Sequence, residues 1–145
     1  MGVSTAHYRD AAFAVIREAD ILKVSDEDLR HLGLTSEPKV AARELLTFGA
    51  RLVVLTMGAS GAWVLSENHE LFQSADRVKV VDTVGAGDSL TAAVAMGLLS
   101  GWDLQTIGDR ANEIAAYVCS CEGATPPMPA VLRAPFLAAT IADHV

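Results

Sequence analysis

The stretch that decides the fold is VVDTVGAGDSLTAAVAMG, residues 80–97. It places three small residues and a carboxylate, Gly85 to Asp88, between a β-branched run and an almost wholly apolar segment. This pattern predicts a strand followed by a helix, and the first N–H groups of a helix have no intrahelical partner. These N–H groups, the positive end of the helix dipole and the lack of bulky side chains together predict an anion hole.

Asp88, at the edge of this turn, has two interpretations. A carboxylate repels an anion, so Asp88 would weaken anion binding at this turn. Its presence is explained if it has a chemical role, such as accepting a proton from an attacking hydroxyl. Alternatively, Asp88 only caps the helix, because Asp is favoured at helix starts. The spacing by itself leaves both interpretations open.

Composition restricts the class of protein. With 145 residues, 51% of them hydrophobic, the chain is long enough for a core, and we expect residues 1–145 to form a single domain. Eighteen acidic residues against 11 scattered basic ones give a net charge of −7, which argues against nucleic-acid binding. We expect no membrane span and no secretory signal, and therefore a cytoplasmic location.

The cysteines and histidines predict no metal site. Cys119 and Cys121 are two residues apart on a helical segment, a spacing that suits neither a disulfide with each other nor zinc, and a reducing compartment fits best. The histidines are dispersed, and we interpret them as surface or core residues: His7, His31, His69 and His144.

Apolar periodicity predicts alternating strands and helices. The predicted strands are 21–24, 52–57, 62–66, 71–74 and 78–81, and the predicted helices are 8–19, 25–32, 37–48, 89–99, 104–121 and 134–143. Apolar strands that alternate with helices indicate a layered α/β fold with a mainly parallel sheet.

Two further turns are candidates for ligand binding, because ligands of open α/β sheets bind at the carboxyl ends of strands. In TMGASG, residues 56–61, two glycines three apart admit a phosphate or a ribose, although the spacing alone favours a tight turn between strands. The turn is neither a Walker A loop nor a GxSxG nucleophile elbow. Ser25 and Asp28 have the spacing of a capping box, and the alternative is that Asp28 holds a hydrated Mg²⁺.

Together these segments resemble one family. DTVGAGD, residues 82–88, closely resembles the DTxGAGD signature of the ribokinase-like sugar kinases, the PfkB carbohydrate kinases. Residues 19–28 resemble the segment of the family's NxxE motif, residues 55–62 its nucleotide-binding turn, and residues 111–129 its late helix and adenine-side loop. The resemblance implies a ribokinase-like three-layer α/β/α fold, truncated so that the N-terminal half and the sugar-covering lid are missing.

The resemblance also implies an ATP-dependent phosphorylation of a sugar hydroxyl, with ATP and Mg²⁺ as cofactors. Asp88 is then the base, and the backbone of Gly85, Ala86 and Gly87 holds the phosphoryl charge. The implied ATP contacts are Thr56, Gly58, Ser60 and Gly61, with Asn112 near the adenine or ribose. The implied metal residues are Asp28, for Mg²⁺, and Asp82, in a loop that family members often tie down with a monovalent cation.

Some positions depart from the family pattern. The NxxE positions hold Ser25 and Asp28. The sequence KVSDE, residues 23–27, resembles that of fructokinase-like members, which favours fructose as the substrate. Ser60 stands where Lys is frequent, and Pro127 stands where a polar residue often helps the cation site, which argues against dependence on K⁺.

Three functions follow as hypotheses. The first is the ATP-binding and catalytic half of a fructokinase-like enzyme, the second a nucleotide-binding remnant without catalysis, and the third a nucleoside kinase of the same fold. Because the resemblance covers only the C-terminal half of the family, we expect the isolated chain to be inactive. We also expect it to self-associate or to pair with a missing N-terminal half.

Overall fold

A four-stranded sheet in the order β1-β2-β3-β4 forms the centre of the first part of the chain. Its strands are β1 (Ile21–Ser25), β2 (Leu52–Thr56), β3 (Ala62–Ser66) and β4 (Glu70–Gln73). Strands β1 and β2 are parallel, as expected, whereas β2 and β3 are antiparallel, so that the sheet is mixed. The computed structural model describes residues 5–142, and the prediction for His144 and the predicted helix end at Asp143 lie outside this range.

The LVVLT run of β2 is the best-buried strand, as its composition predicts, with only Thr56 partly exposed. Three helices accompany the sheet: α1 (Thr5–Ile16), α2 (Asp26–His31) and α3 (Pro38–Thr47). Helix α3 turns Ala41, Ala42 and Leu45 inward, and these side chains join Val53 and other strand residues in one buried cluster. Burial of these apolar side chains is the main source of stability for this part of the chain.

Lys39 of α3 joins that helix to strands β3 and β4. Its ammonium group lies 2.7 Å from a carboxylate oxygen of Glu70 and 4.1 Å from the centroid of the Trp63 ring. Arg43, one turn further along α3, lies 3.0 Å from the other carboxylate oxygen of Glu70. Hydrogen bonds from Lys39 and Arg43 hold the pKa of Glu70 below its usual value.

The second part of the chain is helical. Its helices are α4 (Ala86–Leu99), α5 (Leu104–Cys119) and α6 (Ala130–Ala142). Helices α4 and α5 pack closely at Gly97, where a Cβ atom would lie 2.7 Å from Cγ1 of Ile107. A glycine at this position lets the two helices approach each other.

By its contacts the chain separates into two compact units, Met1–Phe72 and Gln73–Val145. The single domain expected for residues 1–145 therefore stays a prediction. Among residues 5–142, no helix combines the length and the apolar composition that crossing a bilayer requires.

The strand predicted at 78–81 is wrong. This segment has no regular secondary structure, and Val80 and Val81 are 59% and 51% exposed. The N–H of Val81 donates instead to the carbonyl of Cys119, at 2.8 Å. β-branched residues favour a strand only where a neighbouring strand can pair with it, and the described residues supply none here.

Helix boundaries differ modestly from the predicted ones. The last helix begins at Ala130 rather than Ala134, and it therefore contains Pro135 in its interior. Cys119 and Cys121 are half-buried, and neither forms a disulfide with another described residue.

Candidate active site

The turn that precedes α4, which we name the phosphate turn (residues 81–88), leads into a helix that begins at Ala86, three residues before the predicted start at Ser89. Gly85 is the N-cap and has a left-handed φ of +82°, a conformation that favours glycine. Ser89 donates the first intrahelical bond, to the carbonyl of Gly85 at 2.9 Å, so the N–H groups of Gly87 and Asp88 precede it. The N–H of Ala86 donates to the Thr83 carbonyl at the long distance of 3.3 Å.

Asp88 is the third residue of α4, and its side chain is exposed. The capping alternative places a side chain at the N-cap position, which Gly85 occupies. Within residues 5–142, the Asp88 carboxylate takes part in no hydrogen bond or ion pair that we identify. A carboxylate that caps nothing and pairs with nothing, beside N–H groups that can hold an anion, is available for proton transfer.

Asp82 lies at the start of the phosphate turn and bonds in two directions. Its Oδ1 accepts a hydrogen bond from Val84 N–H at 3.0 Å, and its Oδ2 accepts one from Gly123 N–H at 3.2 Å. These backbone hydrogen bonds hold the pKa of Asp82 below its usual value. Sequence reasoning placed Asp82 near a cation and missed its bond to Gly123, because the partner lies 41 residues away.

In the first unit, the turn at residues 56–61 joins β2 to β3 through a short 3-10 turn at Gly58–Ser60. It is closed by a bond from Met57 N–H to the Gly61 carbonyl at 2.8 Å, as expected of a tight turn between strands. Gly58 has a φ of +54°, and apart from its two chain neighbours no heavy atom of residues 5–142 lies within 4 Å of the position where its Cβ would be. The backbone at Gly58 is therefore open to a ligand.

Ser25 and Asp28 form the capping box that their spacing predicts. Asp28 N–H donates to Ser25 Oγ at 3.0 Å, and Ser25 N–H donates to Asp28 Oδ2 at 2.8 Å. Lys23 Nζ lies 3.8 Å from the same carboxylate. Ser25 is paired in register with Thr56 of the parallel neighbouring strand, so the capping box and the 56–61 turn begin at the same edge of the sheet.

The predicted residues are thus divided between the two units. Thr56, Gly58, Ser60, Gly61 and Asp28 belong to the first, and Asp82, Gly85, Ala86, Gly87, Asp88 and Asn112 belong to the second. Asn112 is half-buried on α5. Among residues 5–142, no three His, Cys, Asp or Glu side chains converge as a metal-binding group.

Sequence reasoning missed an apolar cavity in the second unit. It has a volume of about 330 Å³ and lies between α4 and α6. The signal for it was present, since α4 is apolar on most of its circumference and α6 carries several large apolar side chains. Its lining includes Ala92, Met96, Met128, Leu132 and Phe136.

Comparison with known proteins identifies the family. The profile of the pfkB family carbohydrate kinases matches residues 3–131. A fructokinase from Rhizobium leguminosarum bv. trifolii is 43% identical over 81 residues, which are 56% of this chain and 25% of that protein. An ATP-dependent 6-phosphofructokinase from Thermoanaerobacterium thermosaccharolyticum is 30% identical over 121 residues, 83% of this chain and 38% of that protein.

Solved structures agree on the fold. Aminoimidazole riboside kinase from Salmonella enterica, solved with aminoimidazole riboside and an ATP analog, aligns with a TM-score of 0.78 and 28% identity, over 92% of this chain and 48% of that one. An E. coli protein assigned as ribokinase II, solved with ATP and Mg²⁺, aligns with a TM-score of 0.74 and 28% identity, over 82% and 39%. The fold is therefore ribokinase-like.

The match covers only part of each relative. The chain spans between 25% and 46% of the length of the curated relatives that it matches, so it corresponds to less than half of such a protein. Nearly the whole chain is nevertheless covered by the family profile, including the DTVGAGD turn and α5. This chain belongs to the pfkB family of carbohydrate kinases.

Proposed function

We propose that this chain is the ATP-binding and catalytic part of a sugar kinase that transfers the γ-phosphoryl group of ATP to a hydroxyl of fructose or a similar sugar. The observation that carries the proposal is the start of α4. There an exposed Asp88, which has no hydrogen bond or ion pair among residues 5–142, follows a left-handed Gly85 in the signature turn of a kinase family. The fructose preference is supported by the 43% identity with the R. leguminosarum fructokinase.

In this proposal Asp88 accepts the proton of the sugar hydroxyl as the hydroxyl oxygen attacks the γ-phosphorus. The backbone N–H groups of Gly85 and Gly87, beside Ala86, hold the charge that develops on the phosphoryl oxygens. Phosphoryl transfer depends mainly on such positioning and charge stabilisation, so a small set of groups is enough.

The ATP contacts are proposed from both turns. The backbone at Gly58 is open to a ligand, which suits a phosphate or ribose, with Thr56, Ser60 and Gly61 around it. Asn112 would contact the adenine or ribose. Bound Mg²⁺ would neutralise phosphate charge, held mostly by ATP oxygens and water, with Asp28 as the protein carboxylate. Both oxygens of Asp82 already accept N–H groups, which does not favour a K⁺ site.

Beyond the reaction, we propose a cytoplasmic location and a sugar acceptor, with a nucleoside as the alternative suggested by the Salmonella relative.

We also propose that the chain self-associates or pairs with a polypeptide that resembles the N-terminal half of its relatives. Leu99 of α4 is 83% exposed and Val131 of α6 is 75% exposed, and an association that buried these side chains would be favourable. Sedimentation velocity would detect it, and a chain that is monomeric at every concentration would exclude self-association.

A completed enzyme tests the function. It joins the N-terminal part of the R. leguminosarum fructokinase to this chain at the start of the matched region. The relative supplies the sugar pocket, so fructose turnover reports whether this chain supplies the ATP site and the base. We expect turnover on the order of 1 s⁻¹ or more in a coupled assay. A folded chimera that binds ATP without turnover on fructose, ribose or adenosine would favour the non-catalytic remnant.

A further inference from the structure

The apolar cavity between α4 and α6 lies within the second unit, and its lining contains none of the residues proposed for phosphoryl transfer. Three of the side chains that line it are buried, Ala93 of α4, Ile114 of α5 and Phe136 of α6. The ring of Phe136 also contacts Trp102, with the two ring centroids 5.0 Å apart. The inner part of the cavity is therefore formed by the packed interior of the unit.

The outer part of the cavity is open to solvent. Ala92, Met96 and Leu137 line it and are nevertheless exposed. A small molecule can therefore enter without unfolding of the unit. Met96 and Met128 add unbranched, flexible side chains to the lining, and methionine adapts its shape to a bound apolar group.

The volume of the cavity sets the size of the apolar group that it can hold. In other proteins an apolar cavity of about 150 Å³ stays free of water and binds benzene. The cavity described here has roughly twice that volume, about 330 Å³, and is large enough for an apolar chain of about eight carbons. Burial of such a chain is favourable in proportion to the apolar surface that leaves water.

The charge at the cavity is positive. Of the described residues that line it, only Arg133 carries a charge. Arg133 is exposed in the first turn of α6, and its guanidinium group takes part in no hydrogen bond or ion pair with another described residue. The planar guanidinium group binds a carboxylate through two parallel hydrogen bonds. A ligand that combines an apolar chain with a carboxylate therefore matches both parts of the cavity.

We propose that this cavity is a binding site for a medium-chain carboxylate, an unbranched acyl chain of about eight carbons whose carboxylate pairs with Arg133. The chain lies against Ala93, Ile114 and Phe136, and the carboxylate remains at the solvent side. The proposal is independent of the proposed function, because it assigns a separate ligand to residues that the phosphoryl transfer does not use.

Titration of the chain, labelled at its methionine methyl groups, with octanoate gives the first test. We expect saturable shifts at Met96 and Met128, and none at Met57 of the first unit. Hexanoate should bind about fifteenfold more weakly, because each buried methylene contributes about fourfold in affinity.

Two outcomes of this titration would overturn the proposal. One is the absence of shifts at Met96 and Met128 in millimolar octanoate, or equal affinities for the two chain lengths. The other is shifts that follow the concentration of the protein and not that of octanoate, because a second copy of the chain would then cover the cavity.

The variant Arg133→Gln tests the recognition of the carboxylate. It should weaken octanoate binding about two- to fivefold, as expected for an exposed ion pair, and leave the binding of uncharged 1-octanol unchanged. The matched control is Arg77→Gln, which removes the same charge from an exposed position of the second unit outside the cavity lining. Equal octanoate affinities of Arg133→Gln and Arg77→Gln would contradict the assignment of the carboxylate to Arg133.

The variant Ala92→Leu tests the location of the chain, because a larger side chain at this position occupies part of the cavity. We expect it to weaken octanoate binding at least about tenfold, since it displaces two or more methylene groups of the ligand. The control is Ala138→Leu, an exposed alanine of α6 outside the cavity lining, which should change the affinity less than about twofold. Amide spectra verify that both variants fold, and equal affinities of the two would show that octanoate binds elsewhere.

Discussion

At the residue scale, two positions of the phosphate turn, three residues apart, require opposite kinds of residue. Gly85 must have no side chain, because its φ is +82° and the Ala124 carbonyl occupies the space of a Cβ atom. Asp88 must have a carboxylate if it is the base, although nothing in the local backbone requires one. The first demand is a matter of folding and the second a matter of chemistry, so substitutions at the two positions should have different effects.

Replacement of Asp88 by Asn in the completed enzyme should lower turnover about 10²- to 10⁴-fold, because Asn cannot accept the hydroxyl proton. ATP-Mg affinity should stay nearly unchanged, since the amide preserves the shape of the side chain. Steady-state kinetics and calorimetry measure the two quantities. Asp76→Asn, at an exposed position in the same unit, is the matched control. Near-normal turnover of Asp88→Asn would show that Asp88 is not the base.

Replacement of Gly85 by Ala should lower the free energy of unfolding by more than the about 1–2 kcal/mol that a left-handed backbone costs an alanine. Gly123→Ala is the control, because Gly123 has a similar φ of +80° but open space at its Cβ position. Urea unfolding of both variants isolates the cost of the close approach to Ala124. Equal losses of stability would mean that Gly85 and the backbone of Ala124 are not in close contact.

At the element scale, the structure contains the strands and helices whose prediction depends only on local sequence patterns. The continuous apolar run of β2 and the three-and-four spacing of α5 are readable in the sequence, since burial of one strand or one helix face leaves a direct periodic signal. The capping box of α2 is readable for the same reason, as it links residues three positions apart. These elements position both candidate turns.

What the sequence could not predict depends on contacts between distant segments. The run at 78–81 has strand propensity, but its backbone bonds to the end of α5, some 40 residues further along the chain. The same distance hides the bond from Gly123 to Asp82. Of the candidate site, the sequence therefore predicted that a helix follows the glycine turn, although three residues later than it begins, while the attachment of the turn required the structure. The role of Asp88 stays a prediction.

The capping box predicts a pH-dependent stability of α2. Partial burial raises the pKa of Asp28, but hydrogen bonds from Ser25 and the charges of Lys23 and His31 outweigh this and hold the pKa below its usual value. The contribution of Asp28 is therefore complete above the unfolded pKa of about 3.9 and is lost as the pH falls through the lower folded pKa.

Asp28→Asn should accordingly cost up to about 1 kcal/mol at pH 7, because the side chain is half-exposed, and progressively less as the pH falls below about 3.9. Urea unfolding across this range measures the difference. Ser25→Ala is the control, since a hydroxyl does not titrate and its loss of about 1 kcal/mol should persist at the lower pH. A cost of Asp28→Asn that does not change with pH would contradict the assigned role of the charge.

At the scale of the whole molecule, the chain spans less than half of its curated relatives, and we propose that the residues that bind the sugar lie outside it. Isolated, it should therefore not phosphorylate sugars at a useful rate. When the sugar is not held in place, the reaction lacks the lowering of the activation barrier that correct orientation provides, which reaches about 7–11 kcal/mol. A coupled assay of the purified chain with fructose, ribose and adenosine measures this. Turnover on the order of 1 s⁻¹ would show that the chain has a complete acceptor pocket.

The central claim, that this chain is the nucleotide-binding part of a kinase, is tested most directly by titrating the isotopically labelled chain with ATP-Mg and following its backbone amide shifts. We predict weak binding, with the largest shifts at residues 56–61 and 83–88 and smaller ones near Asn112. No shift at millimolar ATP-Mg, or shifts confined to other surfaces, would contradict the claim.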